Sequence, residues 1–136
     1  MKKLRPFMLL AGRVCLVLAL LAMAGQKLVF PEGSAYYMDQ KGMPGASKAL
    51  AYVLGVLELI AGVAILVGWR TRTIALAVAV YLLPVTWYTH VADAWRAADA
   101  VVRDQEMTQA LKSLSLVGGL LILAVSGPGE YSLDRK

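Results

Sequence analysis

Residues 53–68 read VLGVLELIAGVAILVG, and fifteen of these sixteen positions carry side chains that lipid accepts. The exception is Glu58. Taken back to Ser47, the run approaches the roughly 20 residues a helix needs to cross a bilayer. It lacks the period-two alternation of a half-buried strand, and an isolated strand leaves its backbone groups unpaired in lipid. The stretch is therefore predicted to be a transmembrane helix.

The rest of the chain repeats the pattern. Of 136 residues, 59% are hydrophobic and only 17% are charged, and the mean hydropathy is +0.62, which leaves too little charged surface for a soluble domain. Further apolar runs extend from Phe7 to about Phe30, from Thr73 to about Ala92 and from about Thr108 to Ser126. The prediction is an all-α, integral membrane four-helix bundle forming one domain over residues 1–136. The opening MKKLRPF, the following apolar stretch and Ala22-Met23-Ala24 imitate a secretory signal peptide. Arg13 interrupts that apolar region, so the segment is expected to be retained as the first span.

The connections differ in kind. Pro31 to Ala46 contains PEGS and GMPG and reads as a turn-rich loop. Between the second and third spans only WRTRT remains, a tight hairpin. Residues 93–107, DAWRAADAVVRDQEM, mix charges with Ala and Val and read as a short amphipathic surface helix.

The net charge of +5 and pI of about 9.5 would suggest nucleic-acid binding in a soluble protein. Here the basic residues sit mainly at the ends of apolar runs, where they act as topology signals and headgroup contacts, so no nucleic-acid partner is expected. With the N-terminus inside, Lys2, Lys3, Arg5, Arg70, Arg72, Arg135 and Lys136 crowd short cytoplasmic segments. Lys27, Lys41, Lys48, Arg96, Arg103 and Lys112 spread over longer stretches on the other side. That density difference places both termini in the cytoplasm. Trp69, Trp87, Trp95 and most tyrosines fall near span ends, as in an aromatic belt.

The intramembrane polar residues are the candidate site. An ionised carboxylate at the middle of a span costs several kcal/mol unless it is paired or protonated. At 1.5 Å per residue, Glu58 lies roughly 15 Å from either end of its helix and Arg13 about 9 Å inside the first. Arg13 and Lys27 are about four turns apart and share a face. On depth, Glu58 is expected to pair with Arg13, with Lys27 capping the site from outside. Gly55 and Gly62 stand on the same face as Glu58 and would let another helix approach. His90, near Thr86 and Tyr88, and Lys112, followed by Ser113 and Ser115, would join Gln26 and Lys27 in a polar outer mouth, with Pro84 kinking the third helix below His90. The plainer readings are a structural ion pair fixing helix register, snorkelling lysines and an interfacial histidine.

Several chemistries are excluded by composition. The single cysteine, Cys15, cannot form an intrachain disulfide or a redox pair, and is expected to pack within the first span. The single histidine rules out haem held by two histidines of one chain. H-E-x-x-H, a Cys/His metal set and a Gly-rich phosphate loop are all lacking, so no metal is expected.

These residues together resemble the DoxX family of small four-helix membrane proteins. The resemblance runs along nearly the whole chain. It is carried by Arg13, Gly25-Gln26-Lys27, Tyr37-Met38, Gly42-Met43-Pro44, Glu58-Leu59-Ile60-Ala61-Gly62, Gly68-Trp69-Arg70-Thr71-Arg72, His90, Lys112 and the ending GPGEYSLD. The tail is its most specific piece, and the family usually has glycine where Ala61 stands. The resemblance implies a bacterial inner-membrane protein and a membrane subunit of a redox system, one linked to quinones, sulfur compounds or oxidative stress. Arg13, Lys27, Glu58, His90 and Lys112 would then line a site for a quinone headgroup or a sulfur oxyanion. A redox enzyme or complex subunit would be the protein partner, because catalysis by this chain alone is not expected. A non-enzymatic scaffold or accessory subunit is the alternative. A solute permease would require a homo-oligomer, since four helices leave little room for a pore.

Overall fold

A computed structural model describes residues 4–134. Helix α1 (Arg5–Val29) is followed by α2 (Pro31–Gln40) and α3 (Lys48–Val67). Next come α4 (Thr71–Thr86), a π-helical turn (Trp87–Val91), α5 (Ala92–Arg96) and α6 (Ala100–Ser126). Four segments are long and apolar enough to cross a membrane: Arg5–Val29, Lys48–Val67, Thr71–Arg96 and Ala100–Ser126. The all-α four-helix expectation holds. Lys2, Lys3, Arg135 and Lys136, which the topology reading used, lie outside the described residues.

Local chemistry sets the helix ends. Ser47 caps α3, its hydroxyl accepting from the Leu50 amide at 3.1 Å. Gly68 ends α3 in the left-handed region at φ 77°, and the Trp69 amide returns to the Ala64 carbonyl at 2.8 Å. Arg70 follows at φ 45°, so the hairpin turns on two left-handed residues with Trp69 between them.

Two connections differ from expectation. Residues 31–40 are a helix, because Pro31 occupies its first position and Glu32 its first turn. A proline has no amide to waste there, and an acid suits the positive helix end. Turn geometry is confined to residues 41–47, with Gly42 and Gly45 at φ 69° and 75°. The amphipathic surface helix expected over 93–107 is absent as a separate element. Residues up to Arg96 continue the α4 rod, while α6 starts at Ala100 instead of Thr108. Asp99 accounts for that early start by accepting the Val101 amide at 2.7 Å.

Within the bundle, α1 packs mainly on α3 and α4 mainly on α6. The core is Val17 and Leu20 of α1, Ile65 of α3, Ala75, Val78, Ala79 and Leu82 of α4, and Val117, Leu120 and Leu123 of α6. Only 22–33% of each span's apolar window is buried, so most of those side chains point outward, as lipid contact requires. Trp69, Trp87 and Trp95 are exposed near the span ends, and Cys15, expected to pack, is exposed on α1. The described ends lie together: the rings of Phe7 and Tyr131 are 5.5 Å apart.

Candidate functional site

The α1–α3 contact positions the site. A methyl group on Gly55 would stand 3.0 Å from Lys27 Cβ and Leu28 Cγ, and one on Gly62 3.1 Å from Leu21 Cδ2. The two glycines thus let α1 close on α3, and both face inward as expected. This register sets Glu58 level with the residues just before Lys27, near the α2 end of α1. Arg13 lies more than ten residues away along α1, about 17 Å at 1.5 Å per residue.

Glu58 accordingly pairs with Lys27 and not with Arg13. Lys27 Nζ lies 3.0 Å from Oε1 and 2.9 Å from Oε2, with the Glu58 side chain 2% exposed. The Tyr81 hydroxyl from α4 donates to Oε1 at 2.9 Å. Direction explains the correction. Helical side chains lean toward the N-terminus of their own helix. In antiparallel α1 and α3, that leans Lys27 and Glu58 toward each other and Arg13 away. Depth counted separately in each helix also ignores the overhang of α3 beyond the end of α1, which α2 covers.

A cavity of about 540 Å³ opens at this end. Lys27, Tyr37, Tyr81 and His90 line it, with Gln26, Gln109 and Ser113 as neutral polar groups and Met23, Met38, Leu54, Leu82 and Val85 among its apolar wall. Thr86 and Thr89 add hydroxyls, and Thr89 donates to the Val85 carbonyl at 2.8 Å. Glu58 stands behind this wall, reached through Lys27 and Tyr81. The π-helical turn follows Pro84, whose missing amide breaks the regular ladder, and it carries His90. His90 Nδ1 lies 2.8 Å from Glu106 Oε2.

Glu106 also holds Lys41 at 2.8 Å, and Lys41 reaches Asp93 at 2.6 Å. Lys41 is 9% exposed and sits 5.3 Å from the Tyr37 ring centre. Burial works against its charge, but the hydrogen bonds to Asp93 and Glu106 outweigh that, holding its ammonium above the ordinary lysine range. Burial likewise pushes the Tyr37 phenol up, against the opposing pull of Lys41.

Arg13 belongs to the opposite end. It is 1% exposed, and its Nη2 donates to the Tyr131 carbonyl. Its Nε and Nη1, with Thr71 Oγ1, have no hydrogen-bond partner among the described residues. Around it the tail is strapped to the α3–α4 hairpin: the amides of Leu133 and Asp134 donate to the carbonyls of Val67 and Gly68 at 3.0 Å each. Arg72 Nη1 adds a bond to the Val125 carbonyl at 2.8 Å.

Of the five sequence-derived candidates, the fold gathers Lys27, Glu58 and His90 around one cavity. Arg13 is placed at the far end, and Lys112 is exposed on α6 and does not line the cavity. Tyr81, Lys41 and Glu106 escaped the sequence reading. Tyr81 had a signal, because it lies deep in its span where an aromatic belt does not explain it. Glu106, Gln109 and Ser113 form a stripe at helical spacing. A helix beginning at Thr108 leaves Glu106 out of that stripe. Lys41 offered no local signal, since its partners are far along the chain.

The DoxX family profile matches residues 8–91. The chain is 33% identical over 135 residues to "Inner membrane protein YqjF" of Escherichia coli K12, across 99% of this chain and 95% of that protein. It is 33% identical over 133 residues to "Inner membrane protein YphA" of the same organism, across 97% of this chain and 91% of that one. No solved structure matches.

Proposed function

The chain belongs to the DoxX family and is a multi-pass inner-membrane protein, and from that premise we propose that it serves as the membrane subunit of a redox-linked system. The ligand is a quinone headgroup or a sulfur oxyanion, received in the α2-end cavity. The observation that carries this reading is a buried carboxylate connected to the α2-end cavity by a lysine and a tyrosine. An ionisable residue at such depth, facing the bundle interior beside a cavity, is the usual mark of a ligand or proton site. The cavity suits an amphipathic headgroup: methionine and aliphatic walls take a ring or tail, while Gln26, Gln109 and Ser113 supply neutral hydrogen bonds. Such a ligand would carry the redox chemistry, and a partner enzyme would exchange electrons with it. This chain would bind and orient the headgroup and hold a proton at the Tyr81–Glu58 contact.

We place the α2 end outside and the termini in the cytoplasm, on the density of basic residues. In a Cys15→Ala background, Glu32→Cys should react with an impermeant maleimide on intact spheroplasts, and Glu130→Cys only after lysis. The reverse pattern overturns the orientation. Cross-linking and pull-down from native membranes tests the partner: a cofactor-bearing oxidoreductase should be recovered.

A second reading, a non-enzymatic scaffold, draws on the closed bonding of Lys27 with Glu58, which would lock α1 to α3 without any ligand. Loss of stability in Glu58→Gln with no change in quinone or thiosulfate binding would favour it.

A further inference from the structure

We propose that Glu58 sets the charge selectivity of the α2-end cavity, so that it admits an uncharged headgroup with carbonyl or hydroxyl groups and excludes oxyanions. The inference rests on the reading of this cavity as the ligand site, and decides between the two ligand classes named above.

Lys27 is the cation on the cavity wall. An ammonium has three hydrogens to give. Two oxygens of Glu58 lie at 3.0 and 2.9 Å, and the Met23 carbonyl is the remaining neighbour at 3.4 Å. The cation on the cavity wall is thus fully engaged and its charge cancelled at contact distance. Tyr81, also on the cavity wall, directs its proton to Oε1 of the same carboxylate, so its hydroxyl has no proton left to give an anion.

The cavity's rim follows the same rule. His90 faces Glu106, and Glu106 is shared with Lys41, which also holds Asp93. Two carboxylates therefore match the basic groups there. An oxyanion entering the cavity meets no unmatched cation. To gain one it must pull Lys27 from Glu58, leaving a carboxylate that is 2% exposed without its counter-ion. Gln26, Gln109 and Ser113, by contrast, are neutral groups able to donate and accept. An uncharged carbonyl or hydroxyl compound bonds to them without disturbing the pair.

The test uses the full chain in phosphatidylcholine nanodiscs, with a short-tailed benzoquinone and thiosulfate as probes. The wild type should bind the quinone, and excess thiosulfate should not displace it. Glu58→Gln frees the Lys27 charge and should raise thiosulfate affinity about tenfold or more, since a single unscreened contact charge is worth at least that much. Glu58→Asp keeps the carboxylate and should keep the exclusion. Competition by thiosulfate in the wild type overturns the proposal, as does a folded Glu58→Gln protein with no gain. If Glu58→Gln does not fold, the wild-type competition and Glu58→Asp decide. Binding of both probes to the wild type would sink the selectivity while leaving the ligand site standing. Binding of neither would sink both.

Discussion

Glu58 tolerates its depth because two other helices serve it: α1 through Lys27 and α4 through Tyr81. Lys27→Met should cost about 3–5 kcal/mol, the usual penalty for stranding a buried charge. Tyr81→Phe should cost about 1–2 kcal/mol, the value of one buried hydrogen bond. Reversible unfolding in mixed micelles measures both. A double-mutant cycle adds a sharper check, since coupling of Glu58 with Lys27 should be large and coupling with Arg13 near zero at their separation. Strong coupling between Arg13 and Glu58 would contradict the register. That Glu58 calls for a cation or a proton is legible in the sequence, because burial penalises an unpaired carboxylate. Which cation is not, because the choice depends on side-chain lean and on how far α3 overhangs α1.

Among the elements, the α3–α4 hairpin carries the tightest constraint. Gly68 combines φ 77° with the Ser132 backbone lying directly against it. Gly68→Ala should lose about 1–2 kcal/mol from the left-handed conformation alone. The new methyl group would also push the tail off, so limited proteolysis between Glu130 and Asp134 should accelerate. An unchanged cleavage rate would mean that the strap is held elsewhere. The four long helices were readable because lipid imposes length and apolarity on them together. The helix at 31–40 was not, because Pro31, Gly33 and Ser34 are also turn residues, and only the place of Pro31 after Phe30 makes it a helix start. The start of α6 was missed for the opposite reason, as its first turns are polar and only the Asp99 cap marks them.

At the scale of the molecule, Lys41 ties the α2 end together, joining the segment after α2 to α5 and α6 through Asp93 and Glu106. Lys41→Met should raise hydrogen exchange across Pro31–Gln40 while sparing the core of α1 and α3. The pH dependence follows from the sign of the shift. A raised lysine value means the tie is fully present below the ordinary 10.5 and fades as pH climbs through the higher folded value. Protection of the α2 amides, measured against the intrinsic exchange rate at each pH, should therefore hold steady through neutral pH and fall only in strong alkali. Loosening near neutrality would rule out the tie. The opposite end closes by different means. Leu133 and Asp134 emerge from the ribosome after all four spans, yet they bond to Val67 and Gly68 in the middle of the chain. The hairpin thus waits through about half of synthesis for its covering tail. Membrane insertion can be complete while this end is still open, and docking of the tail then reports that every span has arrived. Reporter domains fused after residue 136 would load that joint directly, so a spacer belongs between them and the tail.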